Sequence, residues 1–381
     1  MCAKITILGA GHGGQGLASY LTLHGHDVYL YNRSRTRIKP IRKEGGIQVD
    51  GVVTGFAELT KCSTNLQEAL SHAEFVFLVV PASAHRNLAV QCAKFLTPEH
   101  VILLIPGRTG GALEFANILE RRSGWTPTVT EAQTFPLVSR AIRSGQVQVT
   151  AVKKDLPIAS FPSTHTNEIS ERISKVLPNI SEATDVLETG LSNIGAVFHP
   201  APLILNVGRA ESTKGQYNHY LDGVTPTVAQ FIEKIDAERV SVGRALGKDI
   251  LSAAEWLNKV YGSTGQNLYE CLQTTPCYQG LGAPPSLDHR YIWEDVPTGL
   301  VPLAAIGEIV GVSTPAICTT IDLASHLTGR DFWEEGRTAE YLGIEALSVS
   351  ELLSYVWSGS ITAIPNLDIM LAPDEEMESA E

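Results

Sequence analysis

Long apolar runs are missing from this sequence, and none of its stretches approaches the ~20 residues needed to span a bilayer, which excludes a helical membrane protein. Positive charge is scarce as well. Lys and Arg number 29 against 41 Asp and Glu, a formal net charge of −12. That sign repels a phosphate backbone, so small molecules rather than nucleic acids are the expected partners. The six cysteines, at 2, 62, 92, 271, 277 and 318, form no C-x-x-C spacing and have no histidine pair beside them. Neither a zinc site nor a disulfide framework is expected, but free, mostly buried thiols and no metal. The start, Met1 to Leu8, has no basic segment and no cleavage site before Gly9, so a cytoplasmic protein is expected. Internal repeats and low-complexity segments are absent, apart from an acidic run, Asp374 to Glu381, that can bury nothing. What remains is globular: 44% hydrophobic and 18% charged residues over 381 positions, too many for a single core of at most ~250–300 residues.

Two regimes divide the chain. Up to about residue 185, apolar runs at Lys4–Leu8, Asp27–Tyr31, Glu74–Val80, Val101–Ile105 and Val129–Thr130 alternate with helical patterns, which predicts a parallel sheet. Ile47–Leu59 alternates around Asp50-Gly51 as a hairpin would, and Gln146–Val152 offers another strand. Beyond about Leu187 helical signals take over. The clearest is Thr225-Pro226 followed by periodic Val228, Phe231, Ile232 and Ile235, stopping at Gly247: an N-cap, an N1 proline and a terminating glycine. Pro276 to Tyr291 reads as a loop, and helices resume from Leu300 to Leu327. The expectation is an α/β fold with an N-terminal Rossmann dinucleotide-binding domain over 1–185, its mostly parallel sheet carrying added antiparallel strands. An all-α domain over 186–372 and an acidic tail over 373–381 complete it.

Gly9-Ala10-Gly11-His12-Gly13-Gly14 matches G-x-G-x-x-G between a strand and an amphipathic helix, the context that gives this motif its meaning. Gly9 permits the tight turn, Gly11 the approach of a pyrophosphate, and Gly14 the packing of helix on strand. His12 and Gly13, and Pro81 after the strand at Glu74–Val80, complete the expected cofactor contacts. The second strand ends Tyr31-Asn32-Arg33-Ser34, with Asn32 where NAD enzymes carry an acid for the ribose hydroxyls. Without that acid, Arg33 and Ser34 can hold a 2′-phosphate. NADP(H) is therefore preferred, with NAD(H) open as the alternative.

One histidine, His199, stands between apolar segments and directly before Pro200. The proline should push His199 out of the α region and break a helix there, leaving the ring at a helix N-terminus. The positive end of that helix disfavours imidazolium, and a carboxylate nearby would restore basicity and hold the ring near neutrality. A charged patch inside apolar surroundings, Arg290-Tyr291-Ile292-Trp293-Glu294-Asp295-Val296-Pro297, is a candidate source of that carboxylate.

Several blocks in order give the chain a resemblance over nearly its whole length: the glycine loop, Pro106-Gly107-Arg108-Thr109-Gly110-Gly111, His199-Pro200-Ala201-Pro202, Gly223 to Pro226, Glu294 to Pro302, and Glu335-Gly336-Arg337-Thr338. It resembles the octopine/nopaline (opine) dehydrogenase family, most of all bacterial N-(1-carboxyethyl)-amino-acid dehydrogenases, in the superfamily of ketopantoate reductase and 6-phosphogluconate dehydrogenase. The resemblance implies NADPH-dependent reductive condensation of an amino acid with a pyruvate-like 2-oxo acid. It implies that His199 is the general acid/base, that Asp295 pairs with it, and that Arg290 holds the oxo-acid carboxylate. Ser139, in the loop Glu131 to Arg140, falls where the family often carries cysteine, which leaves its substrate contact open. Simple reduction of a 2-oxo acid or ketone, a non-catalytic nucleotide sensor, and a homodimeric assembly all stay open at this point.

Overall fold

A computed structural model describes residues 2–361. The acidic run at 374–381, and with it the expected end of the helical region at 372, lies outside the described residues. Eight strands form the main sheet, in the order Ile180–Glu182, Leu156–Phe161, Val129–Ala132, Val101–Leu104, Phe75–Leu78, Lys4–Leu8, Asp27–Tyr31, Lys61–Ser63. All neighbours pair in parallel except Leu156–Phe161 against Val129–Ala132. The central strands are hydrophobic on both faces because helices cover both. Ile5, Ile7, Leu30, Phe77 and Leu103 point to one side, where Leu17 and Leu21 of the helix His12–Leu23 meet them. Leu8, Val76, Leu78, Ile102 and Leu104 point to the other, into a core that continues through Leu113 and Phe115 to Val197, Leu203, Ile232, Leu303 and Ile321 of the helical half. The two halves thus share one apolar layer.

A second, four-stranded sheet has the order Gly55–Glu58, Gly46–Gly51, Gln146–Val152, Leu137–Arg143. The hairpin expected at 47–59 is there: Gly46 to Val49 pair with Glu58 to Gly55, and the connection between them, Asp50 to Thr54, contains Asp50-Gly51. Gly51 stands at φ +118, where a Cβ would strike the carbonyl of Val149, so the glycine serves both the hairpin connection and the approach of the neighbouring strand. The segment around Ser139, read from sequence as a loop, is instead the edge strand Leu137–Arg143, paired antiparallel with Gln146–Val152. The thiols are free, but only Cys62, Cys92 and Cys271 are buried; Cys2 and Cys277 are exposed and Cys318 lies between, so "mostly buried" is corrected to half.

From Val186 on, the described residues form helices and turns apart from a single isolated bridge. The helix announced by Thr225-Pro226 spans Pro226–Ala245, and the Thr225 hydroxyl accepts from the Val228 N–H at 3.4 Å. Such a cap is worth about 1 kcal/mol. Helices Val301–Ile309 and Pro315–Thr328 follow. The last helix among the described residues, Val349–Ser358, returns to the nucleotide-binding half, where Tyr355 lies 4.8 Å from Phe161, ring centre to ring centre. Among the described residues no helix is long and apolar enough to cross a membrane.

Candidate active site

The glycine loop connects strand Lys4–Leu8 to helix His12–Leu23. A Cβ on Gly14 would collide with the Gly9 carbonyl, whereas one on Gly11 would meet nothing within 4 Å, so the loop is tight behind and open in front. The helix has Gly11 as its N-cap and no capping side chain, which leaves its first N–H groups free for an anion. This is a cradle that fits a dinucleotide pyrophosphate. Asn32 braces it from the next strand: its side-chain oxygen accepts the Ala10 N–H at 3.0 Å. Arg33 and Ser34 are exposed beyond it, with the Ser34 hydroxyl 2.7 Å from that of Thr36. The following helix, Arg35–Glu44, walls an open cavity of about 550 Å³ lined by Arg35, Thr36, Ile38, Lys39, Arg42, Lys43 and Thr64. Pro81 is exposed and caps the short turn Ala82–Ala84.

His12 and Ser139 have a shared role. The Ala141 N–H donates to His12 Nδ1 at 2.9 Å, and the Ser139 hydroxyl donates to the His12 carbonyl at 3.3 Å, packed where a Cβ on Gly16 would have to go. The edge strand is thereby clipped to the nucleotide helix. These contacts occupy Ser139 away from the histidine–aspartate pair.

His199 sits at the joint of helices Ile194–Phe198 and Pro200–Leu205. The break before Pro200 is present, but His199 keeps α-region angles (φ −98, ψ −54) instead of leaving that region, because its N–H still bonds the Gly195 carbonyl at 3.0 Å. Its Nδ1 lies 2.8 Å from Asp295 Oδ2, and Tyr291 stacks on the ring at 4.0 Å and 11°. The histidine side chain is 20% exposed while that of Asp295 is fully buried. Burial pushes the Asp295 carboxyl up, yet His199, Arg108 and Arg290 outweigh it and hold the group below its ordinary pKa. An ionised Asp295 keeps the proton on Nδ1 of the ring and leaves Nε2 for chemistry. Asp295 begins a single π-turn, Val296–Leu300, a distortion frequent at functional sites.

Arg290 is half exposed, at 49%, and its guanidinium pairs with Glu294 at 2.8 Å. Glu294 also accepts the Ala82 N–H at 3.1 Å, which ties the helical half to the end of a nucleotide-binding strand. Sequence reasoning missed Arg108. It stands at φ +62 after strand Val101–Leu104, donates to Asn193 at 3.2 Å, and lies 3.6 Å from Asp295 and 3.7 Å from Glu294. A side chain on Gly195 would displace its guanidinium. The only signal was the glycine-flanked block in which Arg108 sits. Also unforeseen is His219, buried beside Tyr291 at a ring distance of 5.1 Å, with neither ring nitrogen hydrogen-bonded. Burial, with His199 and His289 nearby, lowers its pKa to about 3, so it stays neutral.

Behind the site, buried Arg337 donates to Glu114 at 2.8 Å and to the carbonyls of Gly107 and Thr109 at 3.0 and 2.8 Å. It locks the loop bearing Arg108 to the C-terminal segment. His199, Asp295 and Arg290 are thus gathered with Arg108 and Glu294 where the two halves meet. Chemically the cluster offers an imidazole Nε2 free to exchange a proton beside cationic groups, with a dinucleotide cradle in the adjoining half.

Comparison with known proteins agrees with both halves. Residues 182–328 match the family described as NAD/NADP octopine/nopaline dehydrogenase, alpha-helical domain. Residues 4–114 match the NAD-dependent glycerol-3-phosphate dehydrogenase N-terminus. The chain is 38% identical to an opine dehydrogenase of Arthrobacter sp. (strain 1C) over 92% of its own length and 98% of that protein. Its fold is shared with octopine dehydrogenase solved with NADH and L-arginine, at a TM-score of 0.79 and 20% identity over 92% and 98% of the two chains. It is shared also with yersinopine dehydrogenase bound to NADP+, at 0.70 and 16% over 93% and 98%.

Proposed function

The chain belongs to the opine dehydrogenase family of NAD(P)-dependent oxidoreductases, and from that premise we propose that it joins an amino acid to a pyruvate-like 2-oxo acid with NADPH as reductant. The amine nitrogen attacks the keto carbon, water leaves, and the imine is reduced to a secondary amine carrying two carboxylates. Bound NADPH supplies the hydride. His199 Nε2 takes the proton that the attacking amine sheds and returns it to the carbinolamine oxygen, which leaves as water; the reverse reaction uses the same transfers backwards. Asp295 holds the tautomer and stabilises the imidazolium while it exists. Arg290, anchored by Glu294, clamps the oxo-acid carboxylate in a two-pronged contact. Ser139, hydrogen-bonded to the nucleotide helix, is left out of the substrate contacts and serves to hold the edge strand in place.

The 2.8 Å contact between His199 and fully buried Asp295 carries this reading, since a sensor has no need of a proton-transfer pair. Preference for NADP(H) is supported by Arg33 and by the basic helix beyond it, whose Arg35, Lys39, Arg42 and Lys43 favour an added phosphate. Six free thiols suit a reducing compartment, and we place the activity in the cytoplasm. The test is NADPH oxidation with pyruvate alone and with pyruvate plus a panel of amino acids, the products weighed by mass spectrometry. An N-(carboxyethyl) amino acid is expected. Lactate with every amine would make the protein a plain oxo-acid reductase.

A further inference from the structure

Lys153 follows strand Gln146–Val152 and is pinned there from both sides: its N–H donates to the Pro136 carbonyl at 2.8 Å, and its carbonyl accepts from Asn179 at 2.8 Å. It therefore stands over the loop 133–136, at the carboxyl end of strand Val129–Ala132, where ligands of open α/β sheets settle. That loop borders the nucleotide turn, since the Phe135 ring lies 2.9 Å from where a Cβ on Gly13 would be. It also borders the loop of Arg108, because the Gly107 N–H donates to the Ala132 carbonyl at 3.1 Å.

The Lys153 ammonium donates to the Thr134 hydroxyl at 2.6 Å, and among the described residues no carboxylate is within ion-pair distance. Burial and the neighbouring charge of Arg108 push its pKa down. A part-buried cation whose only charged influence is another cation is costly unless an anion joins it. The carboxylates of Glu294 and Asp295 are already in contact with Arg108 and Arg290.

We propose that Lys153 forms a second carboxylate subsite that takes the acid group of the amine partner. The inference rests on the opine dehydrogenase reading: the product carries two carboxylates, and Arg290 accounts for one. It makes Lys153 the residue that distinguishes an amino acid from the same amine without its acid group.

The experiment pairs amino acids with their decarboxylated amines, L-arginine with agmatine and L-phenylalanine with 2-phenylethylamine, each with pyruvate and NADPH. The wild type should favour the accepted amino acid over its amine by roughly ten- to a hundredfold in kcat/KM, the usual worth of one charge-assisted pair. Lys153→Met should raise the amino-acid KM by a similar factor, with the pyruvate KM, the NADPH Kd and kcat/KM for the amine within about twofold. Lys153→Arg should recover most of the loss. Lys153→Gln stands in if the methionine variant melts abnormally. A rise in the pyruvate KM instead, a weaker NADPH Kd, equal losses on acid and amine, or no change would each overturn the subsite. So would a wild type indifferent to the acid group, whatever the variants do. A wild type that forms no secondary amine with any partner would instead refute the functional reading, a result visible before any variant is made.

Discussion

Replacing Glu131 by Gln should change how stability depends on pH, by an amount the structure fixes in sign and scale. Glu131 is wholly buried on strand Val129–Ala132; it accepts the Ala112 N–H at 2.8 Å and contacts the Thr189 hydroxyl at 2.6 Å, joining sheet, helix and the first helix of the second half. Burial raises its pKa to about 7, against the opposing pull of Thr189, Ala112 and Arg337. In the unfolded chain it titrates near 4.5. Between these values the native state holds the extra proton, so this group's contribution is complete below about pH 4.5 and is lost as the pH rises through about 7. At about 1.4 kcal/mol per unit, the swing over that window is on the order of 3 kcal/mol. Gln mimics the protonated acid: its amide can donate to Thr189, whose hydroxyl can pass its own proton to the Val186 carbonyl 3.3 Å away. Melting of wild type and Glu131→Gln followed from pH 5 to pH 8.5 should give curves that start close and diverge by several degrees, the variant more stable on the alkaline side. Parallel curves would refute the argument that a buried, proton-retaining carboxyl joins the halves.

Arg33→Ala should weaken NADPH by roughly ten- to a hundredfold and NADH far less, read as the Kd of each by fluorescence titration; a wild type that uses NADH with the better kcat/KM contradicts the assignment. Arg290→Lys should raise the KM for the oxo acid and spare the nucleotide, because an ammonium cannot reproduce a planar two-pronged contact; an unchanged KM in a folded variant assigns Arg290 to its pair with Glu294 alone.

The nucleotide loop and the long helices were legible because they are local: a glycine pattern after a strand and a capped 3.6-residue period need no distant partner. The edge strand Leu137–Arg143 was not, since Val138 and Ile142 face solvent and the usual inward-apolar alternation is lost. Strand Leu156–Phe161 carries Pro157, which argues against a strand on sequence alone. His199 and Asp295 are 96 residues apart, and only resemblance could pair them. Arg108 escaped notice because its place depends on a left-handed backbone, on the absence of a side chain at Gly195 and on acids from a distant helix, none of which leaves a periodic trace.

The central claim is that the His199–Asp295 pair moves the proton of an imine-forming reduction, and turnover at saturating NADPH, oxo acid and amino acid tests it most directly. His199→Ala should fold, bind NADPH normally and lose roughly 10²–10⁴-fold in kcat. Asp295→Asn should lose much of the same rate, and the double variant should be about as slow as His199→Ala alone, since an orienting carboxylate has nothing left to orient. Near-wild-type kcat in folded His199→Ala, or losses that simply multiply in the double variant, would contradict the account.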